Sequence, residues 1–221
     1  MTETADNQQA QAGEAPREFA VVLASASPRR RELLAKAGVR FVVHTADVDE
    51  TLEPDLAADP PEAVKKLAER KAGAVVQQIL SNPDYEGMMI VIGADTMVVE
   101  SGEIFGKPVD EDDAYRMLAR LSGVTHEVMT GVSVWMVLAE RAGEVSLGFR
   151  TFVDTSQVTF HPLTEEDIRS YIACGESMDK AGAYAMQGEG ARLVDHVHGS
   201  LDTVIGLPVE RLLREFPDLV R

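Results

Sequence analysis

Short apolar runs and helical stripes alternate along most of this chain. Residues 19–24 form a continuous apolar run, the mark of a buried strand that delivers its chain to Ser25. Next comes a helix with Ser27 as N-cap, Pro28 at the first helical position, Leu33, Leu34 and Ala37 on one face, and Gly38 as its stop. Residues 41–44 read as a further strand, leading into the acidic segment 47–53. A long helix over 61–80 carries the stripe Val64, Leu67, Ala68, Val75 and Ile79. Residues 88–99 form a buried strand interrupted at Gly93-Ala-Asp-Thr96, where the glycine signals a bulge or a close backbone approach. A helix over 110–121 turns Ala114, Met117, Leu118 and Leu121 inward and is closed by Gly123. Residues 128–138 predict a second buried strand with Trp135 in the core, and 144–160 one or two strands of a hairpin. Thr164, with Asp167 three residues on, caps a helix over 165–174. A loop over 179–184 and a final strand and helix over 203–216 complete the pattern, which predicts an α/β fold with a mixed sheet.

Composition narrows the class. With 221 residues, 45% of them apolar and 26% charged, the chain can bury a full core as one domain or two closely packed lobes. Residues 1–18 are polar and lack an apolar h-region, so they read as a disordered tail rather than a secretory signal, with the folded part expected over 19–221. No run of about 18 apolar residues is present to cross a membrane. Cys174 is the single cysteine, which removes intrachain disulfides and thiolate clusters and makes the reducing cytoplasm the simplest setting. Thirty-seven acidic residues against 21 basic give a formal charge of −16. So negative a protein is repelled by nucleic-acid backbones and anionic membranes, so its basic clusters are better matched to a small anion.

The first such cluster sits where a helix least tolerates it. Arg29, Arg30 and Arg31 fill the first turn after Ser27, where each forfeits roughly 0.3–1 kcal/mol against the helix dipole compared with an acidic residue. Free N–H groups, a small-residue turn and added guanidinium groups make an anion site, most naturally for phosphate. At about 100° per residue Arg30 shares the apolar face, Arg29 lies beside it and Arg31 points away, so Arg29 and Arg30 are the expected ligands. Asp95 is the second anomaly, because a carboxylate in a buried strand is costly unless paired or metal-bound. It reads either as a strand-end aspartate making a turn or, with Thr96 at a cleft edge, as a metal ligand or an activator of water. Lys71 on the apolar stripe of its helix and Lys107, held extended before Pro108, complete a possible cage, with Glu50 as a further metal ligand. The histidines show no zinc spacing, and no G-x-x-x-x-G-K-[ST], G-x-G-x-x-G or G-x-S-x-G motif occurs.

In combination these segments resemble the Maf family of nucleotide pyrophosphatases. The pieces that carry the resemblance are Leu23-Ala-Ser-Ala-Ser-Pro-Arg-Arg30, Leu67-Ala-Glu-Arg-Lys-Ala72, Gly93-Ala-Asp-Thr96, Gly106-Lys-Pro108, Leu121-Ser-Gly123, Asp179-Lys-Ala-Gly-Ala-Tyr184, Gln187-Gly188 and Gly206-Leu-Pro208. Eight pieces in the family's order, from about residue 20 to 216, make a specific match. The resemblance implies a two-lobed mixed-sheet α/β fold with a central cleft, similar to inosine-triphosphate pyrophosphatases. It implies a homodimer, a divalent metal cation (Mg²⁺ or Mn²⁺), and hydrolysis of a nucleoside triphosphate to monophosphate and pyrophosphate. The catalytic aspartate falls on Asp95, which with Glu50 also falls on the metal side. Substrate-binding positions fall on Ser25, Arg29, Arg30, Lys71 and Lys107, and base choice on Arg29, Thr96 and Gln187. Asp-Thr and Asp-Lys-Ala-Gly-Ala-Tyr look like the branch acting on dTTP and UTP, whereas the 7-methyl-GTP branch usually carries Asp-Gln. Met186 and Leu201-Asp202 depart from the pattern in ways that bear on base preference rather than on the chemistry. Two further readings are a non-catalytic nucleotide-binding regulator of cell division, which would not need Asp95, and a phosphatase or sugar-phosphate enzyme using the same cage.

Overall fold

A long antiparallel pair of strands organises the molecule, seen in a computed structural model that describes residues 19–140 and 144–220. The tail expected over 1–18 lies outside the described residues. The pair is β3 (Gly87–Glu100) and β5 (Thr125–Ala139), in unbroken register from Gly87↔Ala139 to Val99↔Glu127. The strand expected to be interrupted at 93–96 therefore runs straight through. Gly93 marks a close approach instead of a bulge: a Cβ there would stand 2.5 Å from the carbonyl oxygen of Ala68. Gly131, opposite Asp95, has the same relation to the carbonyl of Val64, at 2.4 Å. Both glycines let helix α3 (Pro60–Leu80) press its backbone onto one face of the sheet. α3 starts where its chemistry dictates, with the Asp59 carboxylate accepting from the N–H of Glu62 and Pro60 in the first turn.

The other strands extend this pair. β1 (Phe19–Leu23) lies parallel to β3, with the two-residue β2 (Val42–Val43) parallel on its far side. β4 (Glu103–Phe105) returns antiparallel on the same edge of β3 as β1. β6 (Val145–Phe160) is one long strand hairpinned to β5, and β7 (Val194–His198) pairs with its end. The last strand thus precedes the region expected to hold it. Residues 203–216 instead contribute to two short helices, α6 (Leu201–Ile205) and α7 (Val209–Glu215), parted by Gly206-Leu207-Pro208. Pro208 and the positive φ of Gly206 stop a single helix from running through. A short helix α2 (Pro54–Ala57) precedes α3 and was not foreseen. Helices α1 (Pro28–Lys36), α4 (Glu111–Leu121) and α5 (Glu165–Ala173) form close to their expected bounds; Ser27 and Thr164 cap α1 and α5 as the pattern suggests, and Asp110, expected as the first helical residue, caps α4.

Alternation along β3 splits the core by face and by end. Ile90, Ile92 and Ala94 pack against α1 and α7, while Met89 and Val91 pack under the second half of α3. Past the middle, Val98 joins the cluster of α4, α5 and Phe105, and Met97 and Val99 join that of the first half of α3. Asp95 and Thr96 lie where the strand passes from one pair of clusters to the other. Trp135, expected in the core, is half-buried and stacks on the exposed Phe149 at 4.7 Å between ring centres. No helix among the described residues is long and apolar enough to cross a membrane.

Candidate active site

A gap in the sheet edge makes the cleft. β1 stays with β3 as far as Leu23↔Ile92, and β4 meets it only from Val98↔Phe105 onward. Among the described residues no strand pairs with residues 93–97 on this edge. The chain leaves β1 into the Ser25–Arg30 turn and leaves β4 into Gly106-Lys107-Pro108, so both turns border the gap. A cleft of about 850 Å³ opens there, a size suited to a small-molecule ligand, at the carboxyl end of a parallel strand, where α/β sheets bind theirs. Arg29, Arg30, Glu50, Lys71, Asp95, Thr96, Lys107 and Gln187 all line it. Ser25 is buried behind that wall, its hydroxyl accepting from the N–H of Ser27 (3.2 Å) and from Arg30 (3.3 Å).

Asp95 and Thr96, being neighbours on a strand, face opposite sides of the sheet. On the α3 side, Lys71 Nζ lies 2.5 Å from Asp95 Oδ1 and 2.7 Å from Glu50 Oε1, one ammonium shared by two carboxylates. Its place on the apolar stripe follows: the stripe faces β3, and Asp95 is the acid it meets there. Asp95 is buried, whereas half of the Glu50 side chain is exposed, and the hydrogen bond from Lys71 holds the Glu50 carboxyl below its ordinary range. Two convergent carboxylates fit a hard divalent cation that takes further oxygens from a phosphate ligand. Among the described residues, no group of three His, Cys, Asp or Glu could hold a metal ion by itself.

On the other face Arg30 is a clamp. Its Nε donates to the carbonyl of Gly206 (2.8 Å), one terminal nitrogen to Ser25 and the other to Thr96 Oγ1 (3.0 Å). Burial pulls its pKa below the usual arginine value, against the opposing pull of Asp95. Thr130 donates its hydroxyl proton to the carbonyl of Thr203 (2.7 Å), so the 2.9 Å contact between Thr96 and Thr130 must be donated by Thr96. Thr96 therefore accepts from Arg30 and donates to Thr130, and its proton is committed to the fold. Arg31 is exposed.

Three cleft side chains point the other way in their accounts. Among the described residues Arg29, Lys107 and Gln187 make no hydrogen bond or ion pair, while Lys71 and Arg30 are taken up by the protein. Sequence reasoning named all five but did not separate these two groups. It missed Asp179 and Lys180, which line the cleft as a bonded pair, the Lys180 side chain mostly buried and the Asp179 carboxylate within reach of the Arg29 charge. Both stand in Asp-Lys-Ala-Gly-Ala-Tyr, so the signal was a lysine followed by a glycine, Gly182, that needs φ of 67°. It also missed Glu176, whose carboxylate accepts from the N–H groups of Glu189 and Gly190 and so fixes the turn carrying Gln187.

The chain belongs to the Maf family: the family model described as Maf-like protein matches residues 20–219. Among curated proteins, the dTTP/UTP pyrophosphatase of Lachnoclostridium phytofermentans is 44% identical over 197 residues, covering 89% of this chain and 93% of that protein. The protein of the same description from Bacillus velezensis is 45% identical over 194 residues, covering 88% and 93%. Among solved structures, a nucleoside-triphosphatase (dITP/XTP pyrophosphatase) from Mycobacterium abscessus aligns over 90% of this chain and 94% of its own, with 11% identity and a TM-score of 0.38. The Ham1 protein of Staphylococcus aureus gives 13% identity and the same TM-score, covering 90% and 97%. At that distance the likeness says nothing about chemistry.

Proposed function

We propose that this protein is a nucleoside triphosphate pyrophosphatase that hydrolyses dTTP and UTP to the monophosphate and pyrophosphate. The observation that carries the reading is the cleft itself: a buried aspartate tied to a lysine, lining one cavity with Arg29 and Lys107, which make no hydrogen bond or close ion pair among the described residues. Arg29 and Lys107 bind the triphosphate and stabilise the charge that grows on the leaving pyrophosphate. Water attacks the α-phosphorus, the bond from that phosphorus to its bridging oxygen breaks, and pyrophosphate departs with the electron pair. Asp95 orients that water and accepts its proton, or shares a cation with Glu50; both roles need its charge. Glu50 and Asp95 are the residues that would hold Mg²⁺ or Mn²⁺, which when bound neutralises phosphate charge. The base preference is supported by the names of relatives at 44–45% identity and by the Asp95-Thr96 and Gln187 pattern. Gln187 offers one donor and one acceptor to the O4/N3–H edge shared by uracil and thymine. Residues 19–221 as a two-lobed unit, a homodimer and a cytoplasmic setting belong to the same proposal.

The test is product analysis with purified protein, Mg²⁺ and a panel of dTTP, UTP, CTP, GTP and 7-methyl-GTP. Pyrophosphate with dTMP and UMP, at a kcat/KM above the other bases, is the expected result. Orthophosphate as the first product would sink the pyrophosphatase reading. A preference for 7-methyl-GTP would sink the base assignment alone.

A further inference from the structure

Glu50 reaches the cleft from a segment with no ladder to hold it. Residues 44–53 belong to neither helix nor strand, and half of the Glu50 side chain is exposed. The segment is a thin wall. Glu50 and Leu52 line the catalytic cleft, while Asp49, Thr51 and Glu53 line a second groove of about 530 Å³ on the other side. Arg70, the residue before Lys71 on α3, also lines that second groove. One of its terminal nitrogens donates to the carbonyls of both Asp49 (3.2 Å) and Thr51 (2.8 Å), the peptide oxygens on either side of Glu50. The Asp49 carboxylate accepts from the N–H of Thr51 at 2.9 Å and closes the turn from within. Two consecutive helix residues thus act on one acid: Lys71 bonds its carboxylate from inside the cleft, and Arg70 grips its backbone from behind.

We propose that Arg70 is a positioning residue for Glu50, setting through the wall where its carboxylate stands beside Asp95 and Lys71. Arg70 is not among the residues that line the cleft; it acts on the 49–51 segment, through the two carbonyl bonds and its attraction for the Asp49 carboxylate. The proposal rests on the pyrophosphatase reading for its kinetic consequence but not for the grip itself. Outer partners that orient a ligating or catalytic group commonly matter by about 10–100-fold when removed, so Arg70→Ala is expected to lower kcat on dTTP by about tenfold. KM should stay within about twofold, because Arg29 and Lys107 are untouched.

Three measurements decide it. Amide exchange in Arg70→Ala should quicken over residues 47–53 and stay unchanged in β3, which also reports that the variant folds. Arg70→Lys, a single charged donor on a shorter head, should recover part of both the protection and kcat. In a double-mutant cycle, Arg70→Ala should cost little further once Glu50→Gln is present, since its effect passes through that carboxylate. Unchanged exchange over 47–53 overturns the grip. Fully additive losses in the cycle, or a loss that falls on KM alone, overturn the link to Glu50. A parent enzyme inactive on the whole panel would sink the pyrophosphatase reading, while the exchange result would still decide the grip.

Discussion

At the scale of single residues, the site turns on which polar atoms the fold has already satisfied. Asp95 is buried and bonded to Lys71 through one oxygen, and Oδ2 makes no hydrogen bond among the described residues. The second oxygen is thus the one left to meet water or a cation across the gap. Asp95→Asn keeps the shape, removes the charge and gives Lys71 a weaker partner. It should cut turnover by at least about 10²-fold with the circular dichroism spectrum unchanged. Near-normal turnover by a folded Asp95→Asn protein would overturn the catalytic role. Asp95 was legible because an acid in an apolar strand is an anomaly that one segment displays. The duty of Thr96 was not, because its partners Arg30, Thr130 and, beyond them, the carbonyl of Thr203 come from three other parts of the chain. Expected at a base-choosing position, its hydroxyl also holds Arg30 to the sheet, which leaves an acceptor position to face the cleft.

At the scale of elements, α1 shows how a correct helix phase can carry an incomplete role. The phase places Arg30 inward and Arg31 outward, as found. Relief of the dipole alone would make both Arg→Ala changes slightly stabilising. The structure separates them, because Arg30 joins α1 to the turn after α6 and to β3 at Thr96. Arg30→Ala strands the acceptors it satisfied, at about 1–3 kcal/mol for each polar group left buried and unpaired. The expected outcome is a lower melting temperature and reduced hydrolysis for Arg30→Ala, against unchanged or slightly raised stability and near-parental hydrolysis for Arg31→Ala. Thermal denaturation with dTTP turnover on the same preparations checks both, and equal losses would place the two side chains in equivalent surroundings. The other elements follow the same division. Periodicity located α1, α3, α4 and α5 because each carries its own cap and stripe. It misread β3, because only the nearness of α3 explains a glycine in an unbroken strand, and close approach is invisible to local pattern. It placed the last strand too late because 203–207 is as apolar as a strand, while Ser200 capping the N–H of Thr203 commits it to helix.

At the scale of the whole molecule, the cleft walls come from both ends of the long strand pair, so its shape depends on how each wall is fastened to the sheet. The wall with Asp179, Lys180 and Gln187 is fastened through Tyr184, whose hydroxyl meets His126 Nε2 at 2.8 Å. His126 is buried on β5, edge-on to Phe160 and Tyr184, and burial pushes its pKa down from 6.5 to about 4, outweighing the opposing pulls of the Val124 backbone and of Glu100. A histidine depressed in the folded state is protonated first in the unfolded chain. Between pH 6.5 and 4 the unfolded state therefore binds more protons, and stability that is complete above pH 6.5 drains away as pH falls through that window. A gap of this size corresponds to roughly 3 kcal/mol in all, of which about 2 kcal/mol should be lost between pH 7 and pH 5. His126→Gln keeps a hydrogen-bonding group for Tyr184 and cannot titrate. It should be less stable than the parent at pH 7, because the ring packing is lost, yet its stability should fall less over the same interval. Urea denaturation of both proteins at pH 7 and pH 5 gives the comparison directly. Parallel falls in the two proteins would show that carboxylates, rather than this buried ring, set the acid limit of the fold. A smaller fall in His126→Gln would make the fastening of the nucleotide-facing wall the acid-sensitive joint of the molecule.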